Sequence, residues 1–298
     1  MFSLPAGSVG AMKDGLNILP GEHARPAPGA PGVMQRARGR AAVRFASSDR
    51  GVRLAGLHQS GAAKALLPRT HGPVPEAVFL NTAGGVTGGD VFDYRLDLDA
   101  GARCVATTQT AERVYASSGG AGRIDVRLTA GAGAVLDWLP QETILFDQAA
   151  LDRTTEIDLG PDAQCLSVET LILGRAAMGE TVRRLALRDR RTIRRNGRPI
   201  VAEPVALDDR ILARGDAAGL AGARALATLV FVAPGAEDAL GPVREDLAQA
   251  TGIAAAASSW DGRLILRAMA PGGAPLRRAL VRLIARLGQA GLPRVWQA

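Results

Sequence analysis

Leu98-Asp99-Ala100-Gly101-Ala102-Arg103-Cys104-Val105 returns 30 residues later as Leu128-Thr129-Ala130-Gly131-Ala132-Gly133-Ala134-Val135. A third copy follows as Leu159-Gly160-Pro161-Asp162-Ala163-Gln164-Cys165-Leu166. The same step carries Glu112 onto Glu142, and the third copy reaches Glu169 after an interval four residues shorter. Repetition at this period marks stacked supersecondary units that share one core. Tyr94-Leu96-Leu98 and Ile124-Val126-Leu128 alternate with polar residues, so the units are strands. The expected fold is mainly β, with strands stacked in a helical, β-solenoid-like arrangement and a few α-helices attached in the C-terminal part. Stacking is expected to bring Glu112, Glu142 and Glu169 onto equivalent rungs, as a ladder of carboxylates pointing one way.

Working outward, the strand pattern begins at Ala41-Ala42-Val43-Arg44-Phe45, continues through Val52-Arg53-Leu54 and returns at Ala77-Val78-Phe79-Leu80. Asn196-Gly197 supplies the positive φ angles of a tight hairpin. Residues 220–226 read as a helix start before the strand at 228–232, and 239–251 as a helix. The strongest helical text is 276–287. There Leu276, Leu280, Leu283, Ile284 and Leu287 keep helical spacing, and Arg277, Arg278, Arg282 and Arg286 occupy the other face. Residues 1–33, rich in Pro, Gly and Ala without periodicity, read as a disordered leader, and 34–298 as the β-domain with its C-terminal helices.

Composition narrows the function classes. Aromatic residues make up 4% of the 298, too few for a sugar-binding or base-stacking surface. The net charge of +7 comes mostly from Arg, either as a compositional bias or as attraction to an acidic partner. Cys104 and Cys165 stand in equivalent arms of two repeats and cannot build a disulfide framework, so they read as reduced core thiols in the cytosol. No apolar run is long enough to span a bilayer, and the start lacks the pattern of a secretion signal, so a cytoplasmic protein is expected. His23, His58 and His71 are scattered and stand near neither cysteine, so no tight metal site is expected.

Asn81-Thr82-Ala83-Gly84-Gly85-Val86-Thr87-Gly88-Gly89-Asp90 is the sharpest local signal. It lacks the Gly-Lys-Ser/Thr ending of a phosphate loop and leads into a strand, where phosphate binding needs a helix N-terminus. Paired glycines between strands instead mark sharp bends and close backbone approach, with Asp90 capping a turn. This string resembles the signature of the UreD (UreH) family of urease accessory proteins. Lys64-Ala65-Leu66-Leu67-Pro68, Val114-Tyr115-Ala116-Ser117, Trp138-Leu139-Pro140-Gln141-Glu142, Leu173-Gly174-Arg175, Gly179-Glu180 and Leu292-Pro293-Arg294-Val295-Trp296 agree with it in order.

The resemblance implies a non-enzymatic scaffold that binds apo-urease with UreF and the GTPase UreG and assists nickel delivery, with Ni²⁺ passing transiently. It also implies an internal channel whose acidic wall falls on Asp90, Glu112, Glu169 and Glu203, to which the repeat adds Glu142. Asn81, Thr82, Gly84, Gly85, Thr87, Gly88, Gly89, Gly179, Glu180, Arg294 and Trp296 become partner-binding or structural positions. Two other classes compete. A carbohydrate-active enzyme on a β-solenoid would use paired carboxylates, and would bring a secretion signal and exposed aromatics. A nucleic-acid-binding protein would use the run Arg183, Arg184, Arg188, Arg190, Arg191, Arg194 and Arg195. That run has no interleaved aromatics and alternates like a solvated β-face. Neither nucleic acid nor a membrane is expected as a partner.

Overall fold

Period-two text folds into strands, and the glycine turns between them set how those strands stack. The computed structural model describes residues 35–69, 72–216, 218–289 and 291–297. The expected leader, His23 and His71 therefore lie outside the described residues. Strands β1 (Arg38–Ser48) and β2 (Gly51–Gly61) form a hairpin, followed by β3 (Ala63–Leu66) and β4 (Glu76–Asn81). The first coil is β5 (Val91–Leu98), β6 (Arg103–Thr108) and β7 (Glu112–Val114). The second is β8 (Gly122–Ala130), β9 (Val135–Leu139) and β10 (Thr143–Leu145). The third is β11 (Ala149–Leu159) and the long β12 (Gln164–Leu173). Next come a hairpin of β13 (Leu185–Arg195) and β14 (Arg198–Asp208), then helix α1 (Asp209–Ala213) and β15 (Ala225–Val232). Helix α2 (Leu240–Ala248), a hairpin of β16 (Ala254–Trp260) and β17 (Arg263–Ala270), and helix α3 (Gly273–Leu287) follow.

Coil upon coil, the pairing is parallel, β5 to β8 to β11 on one side and β6 to β9 to β12 on the other. The result is a β-solenoid flanked by antiparallel hairpins, with helices in the C-terminal part. One sheet runs β14-β13-β11-β8-β5-β1-β2 and the other β16-β17-β15-β12-β9-β6-β4-β3. Between them lies a core that includes Phe79, Phe92, Leu96, Leu128, Leu136 and Leu151. A second core covers the outer face of the second sheet, where Leu276, Leu280, Leu283 and Ile284 of α3 meet Leu166, Val168 and Leu266. Strand β12 is therefore buried on both faces. The leucine face expected for 276–287 is the buried one. No helix among the described residues is long and apolar enough to cross a membrane.

Glycines in the repeat are there because backbones stack. A Cβ on Gly131 would lie 2.7 Å from the Ala100 nitrogen, and one on Gly160 2.8 Å from the Ala132 nitrogen. These contacts also correct the period. Leu98 pairs with Ala130, not Leu128, and Arg103 with Val135, so the first step is 32 residues instead of 30. Ala130-Gly131-Ala132-Gly133-Ala134 has itself a period of two. A slip of two residues leaves each side chain on its own face, so the pattern cannot detect it.

One further residue is lost at the next corner. Thr107 pairs with Leu139, but Glu112 pairs with Thr143, a slip of one that reverses the face. Glu142 thus leaves the expected ladder, and Glu112, on the rung of Thr143 and Leu171, stands two residues away from the rung of Glu169, so the three do not occupy equivalent rungs. The third coil has no such corner: β12 runs straight from the rung of Leu136 to that of Leu145. The helix start expected at 220–226 is also absent, because Ala221 and Gly222 take positive φ angles of 47° and 78° and turn the chain into β15. The short α1 went unread; Asp208 caps it by accepting the Ile211 N–H at 3.0 Å. The Asn196-Gly197 hairpin forms as expected, with φ of 50° and 76°.

Candidate functional site

Inward positions of strands in a two-sheet stack are normally apolar, and two strands break that rule side by side. In β11 the inward series Leu151, Ile157, Leu159 is interrupted by Arg153 and Thr155; in β13 Leu185, Leu187, Ile193 is interrupted by Asp189 and Arg191. Register then assembles the site. Arg153 pairs with Asp189 across one strand, and Thr155 with Arg191 and then Glu203 across the next. On the facing sheet the same direction runs Glu169, Thr228, Arg267. Charged groups therefore form a lane that crosses the strands between the two sheets, one strand spacing of about 4.8 Å at a time.

Arg153 is the hub. Its Nε and Nη2 donate to the two Asp189 oxygens at 3.1 and 2.6 Å. Its Nη1 donates to Thr143 at 3.0 Å and pairs with Glu169 Oε2 at 3.0 Å. Glu169 Oε1 accepts from the Trp138 indole at 3.0 Å. Asp189 is fully buried. Burial alone would raise its carboxyl, but Arg153 and Arg191 outweigh that and hold it at about 2. Burial likewise opposes the charge on Arg153, and Asp189 and Glu169 more than restore it. At the far end Glu203 is held by both Nε and Nη2 of Arg267.

Two cavities open off this lane. The larger, about 100 Å³, is lined by Phe79, Tyr94, Glu112, Trp138, Gln141 and Glu169 among others and has room for several waters. The smaller, about 20 Å³, joins Glu169 to Arg191, Glu203 and Thr228 and is water-sized. Gln141 Nε2 and Thr155 Oγ1, one beside each cavity, are buried without a hydrogen-bond partner, and water or a hydrated ion would satisfy them. Among the described residues no three His, Cys, Asp or Glu side chains converge as a metal-holding group.

Glu112 differs from the others because it makes no ion pair among the described residues. It accepts weak bonds from Asn81 Nδ2 at 3.3 and 3.5 Å. Burial raises its carboxyl to about 7, and Asn81 only partly offsets this. Its folded value lies above the unfolded one, so the folded state binds the extra proton. Stability is thus lost as pH rises from about 4.5 to 7. Glu112 is half-buried, and water at the cavity mouth screens part of the effect. Glu112→Gln should therefore gain about 2 kcal/mol over the native protein at pH 8 and little at pH 4.5. Chemical denaturation at both pH values measures this, and equal differences at the two would disprove it.

The other expected site residues fall into two groups. Glu112, Glu169 and Glu203 share the lane. Asp90 does not: its oxygens accept the Ala37 and Thr87 N–H groups at 2.7 and 2.9 Å, and it lines neither cavity. Glu142 faces α3 instead, pairing with Arg277 at 3.0 Å. Asn81 ties the glycine loop to the lane, since Nδ2 also donates to the Gly85 carbonyl at 2.9 Å. The rest of that loop is packed against its neighbours. Thr82 and Thr87 hydroxyls donate to Ala62 and Ala116 carbonyls, the Tyr115 hydroxyl donates to Gly84, and a Cβ on Gly85 or Gly88 would strike Tyr115 or Ser117. Gly89, at φ 88°, backs onto Arg36.

Gly179, at φ 67°, delivers Glu180 to the Arg175 and Asp147 backbone. The Arg175 guanidinium adds to these bonds and holds the Glu180 carboxyl at about 2. Trp296 is buried, with its indole on the Leu139 carbonyl at 2.8 Å, and Arg294 beside it is exposed. Outward from the lane, Arg190 and Arg194 of the basic run pair with Asp152, Glu156 and Asp158, which makes that face a neutralised, solvated one.

A family model described as UreD urease accessory protein matches residues 37–297. A urease accessory protein UreD of Cereibacter sphaeroides is 58% identical over 265 residues, 89% of this chain and 96% of that protein. Those of Dinoroseobacter shibae and Paracoccus denitrificans are 54% and 51% identical over 266 and 269 residues. They cover 89% and 90% of this chain and 93% and 95% of their own lengths.

Proposed function

The chain belongs to the UreD urease accessory protein family, and from that premise we propose that it joins UreF and UreG on apo-urease and passes Ni²⁺ along its interior lane. The family is an accessory rather than a catalytic one. The observation that carries the nickel reading is the placement of Glu112, Glu169 and Glu203 beside two cavities that share Glu169 in their walls, with buried polar atoms left unbonded there. Carboxylate oxygens hold Ni²⁺ more loosely than imidazole or thiolate, which suits passage over storage. Glu112, its carboxyl raised to about 7, is only partly ionised at neutral pH, so an arriving cation displaces the remaining proton and meets a carboxylate that makes no ion pair among the described residues. At Glu169 and Glu203 the arginines already neutralise the carboxylates, so a cation gains little by staying. The lane attracts at its mouth and does not trap further in.

The test is urease activation with purified partners. Glu112→Gln, Glu169→Gln and Glu203→Gln together should leave circular dichroism and UreF co-purification intact. Nickel content and activity of the matured urease should fall about tenfold, the loss typical of disturbed metal-site neighbours. Full activation by the triple variant would leave the protein as a scaffold without a nickel path.

A further inference from the structure

Opposite the mouth at Glu112 the lane has a second end, beyond Glu203. On the first sheet β14 is the edge strand, so beyond Glu203 no strand covers the facing sheet, which continues through β17 to β16. Arg267 stands on β17 at this point. Its side chain is 63% exposed, against 11% for Glu203, and its fork closes over both Glu203 oxygens. Ile265, its neighbour on the same strand face, packs into the interior core, and Arg267 at the edge of that face binds Glu203, which lines the smaller cavity. Arg267 Nη1 makes no hydrogen bond among the described residues, which leaves a donor free on the outer side.

We infer that Arg267 is a latch on this second end of the lane: paired with Glu203 it closes the path, and swung outward it opens it to a hydrated divalent cation. This rests on the nickel-lane reading and adds to it a gating residue. A hydrated cation arriving at this end would exchange with the guanidinium for the Glu203 carboxylate. The pair is suited to that exchange because it is exposed on one side, where ion pairs are weak and rotamers change quickly. The buried Arg153–Asp189 pair, 0% exposed on the acid, is not.

Trp138 supplies the readout, since its indole hydrogen-bonds Glu169 at the junction of the two cavities, and Ni²⁺ arriving there quenches it. The Trp138 signal is taken as the difference from the same protein carrying Trp138→Phe, which removes the contributions of Trp260 and Trp296. In stopped-flow mixing with Ni²⁺ alone, Arg267→Ala and Glu203→Gln should each quench faster than the native chain. The increase should approach about fivefold, the most that an ion pair exposed on one side holds back. Arg267→Lys keeps the charge without the two-pronged grip and should fall between. Quenching at the native rate in both Arg267→Ala and Glu203→Gln would overturn the latch and leave the lane standing. Absence of Trp138 quenching in every variant would overturn the lane and the latch with it. Arg267→Ala leaves the buried Glu203 carboxylate without its partner and should lower the melting temperature, whereas Glu203→Gln leaves only the exposed guanidinium and should not, so Glu203→Gln separates these outcomes from misfolding.

Discussion

Arg153→Met should lower folding stability by about 3–5 kcal/mol, the range for breaking a buried ion pair from one side. The guanidinium satisfies Asp189, Glu169 and Thr143 at once. Without it Asp189 keeps Arg191 and Glu169 keeps Trp138, which is too little to hold two carboxylates charged inside a core. The loss should depend on pH. In the native protein Asp189 titrates at about 2, below its unfolded value, so its stabilisation is present above about pH 4. In the variant Asp189 has lost Arg153, the first of the two arginines that offset its burial, so burial pushes its carboxyl up and stability is lost as pH climbs above the unfolded carboxylate range. The difference should thus be smallest near pH 2, intermediate near pH 4 and full at pH 7, read as the urea midpoint at constant slope. Adding Asp189→Leu, Arg191→Met and Glu169→Gln to Arg153→Met should recover much of it, because Arg191 is buried against Asp189 and apolar replacements of whole buried ion networks are often neutral. A loss below about 1 kcal/mol for Arg153→Met would mean that water reaches the network and screens it.

That expectation bears on why the network exists. Buried ion pairs are weak evidence of stabilisation, and a stack of β-strands can fill such positions with Val or Ile. Retaining six charged side chains along one line, Arg153, Glu169, Asp189, Arg191, Glu203 and Arg267, is what a polar path requires and a packed core does not.

Much of the fold was legible because solenoid coils repeat their turns. The first and third copies of the motif align in the structure as they do in the text, Leu98 and Leu159 both meeting Ala130. The middle copy misled by two residues because an Ala-Gly alternation fits itself at that shift. Glu142 misled for a different reason: corner length is a matter of backbone geometry, and one residue dropped there reverses a face without altering composition. The site was legible only in part. Glu169 and Glu203 were named, but Arg153, Asp189 and Arg191 were passed over, although each stands at an inward position between aliphatic residues. In the basic run the count of arginines drew attention outward, when the informative residue was the one that broke the alternation. Arg267 left no such mark, since its partner comes from 64 residues away on the other sheet.

Leu280→Asp should remove soluble, folded protein altogether. Leu280 is 1% exposed in the middle of α3, among Leu276, Leu283 and Ile284 and above Leu166 and Leu266 of the second sheet. Loss of a leucine side chain alone costs about 2–5 kcal/mol, and an unpaired carboxylate at the same place adds a desolvation penalty of several more. Their sum reaches the whole stability of an ordinary domain. The two arginines of α3 that are tied to other elements are not available to rescue it. Arg277, one turn earlier, is committed to Gln141, Glu142 and the Val295 carbonyl, and Arg286 to Asp246. Leu280→Ala separates folding from function. It should fold with a lowered urea midpoint, and because α3 steadies Gln141 through Arg277, the looser helix should also loosen the rim of the larger cavity. Hydrogen exchange at residues 139–145 should then rise together with that in α3 while β11 and β13 stay protected. A soluble Leu280→Asp with an unchanged melting temperature would place the apolar face of α3 elsewhere, and the support for that rim would have to come from the strands alone.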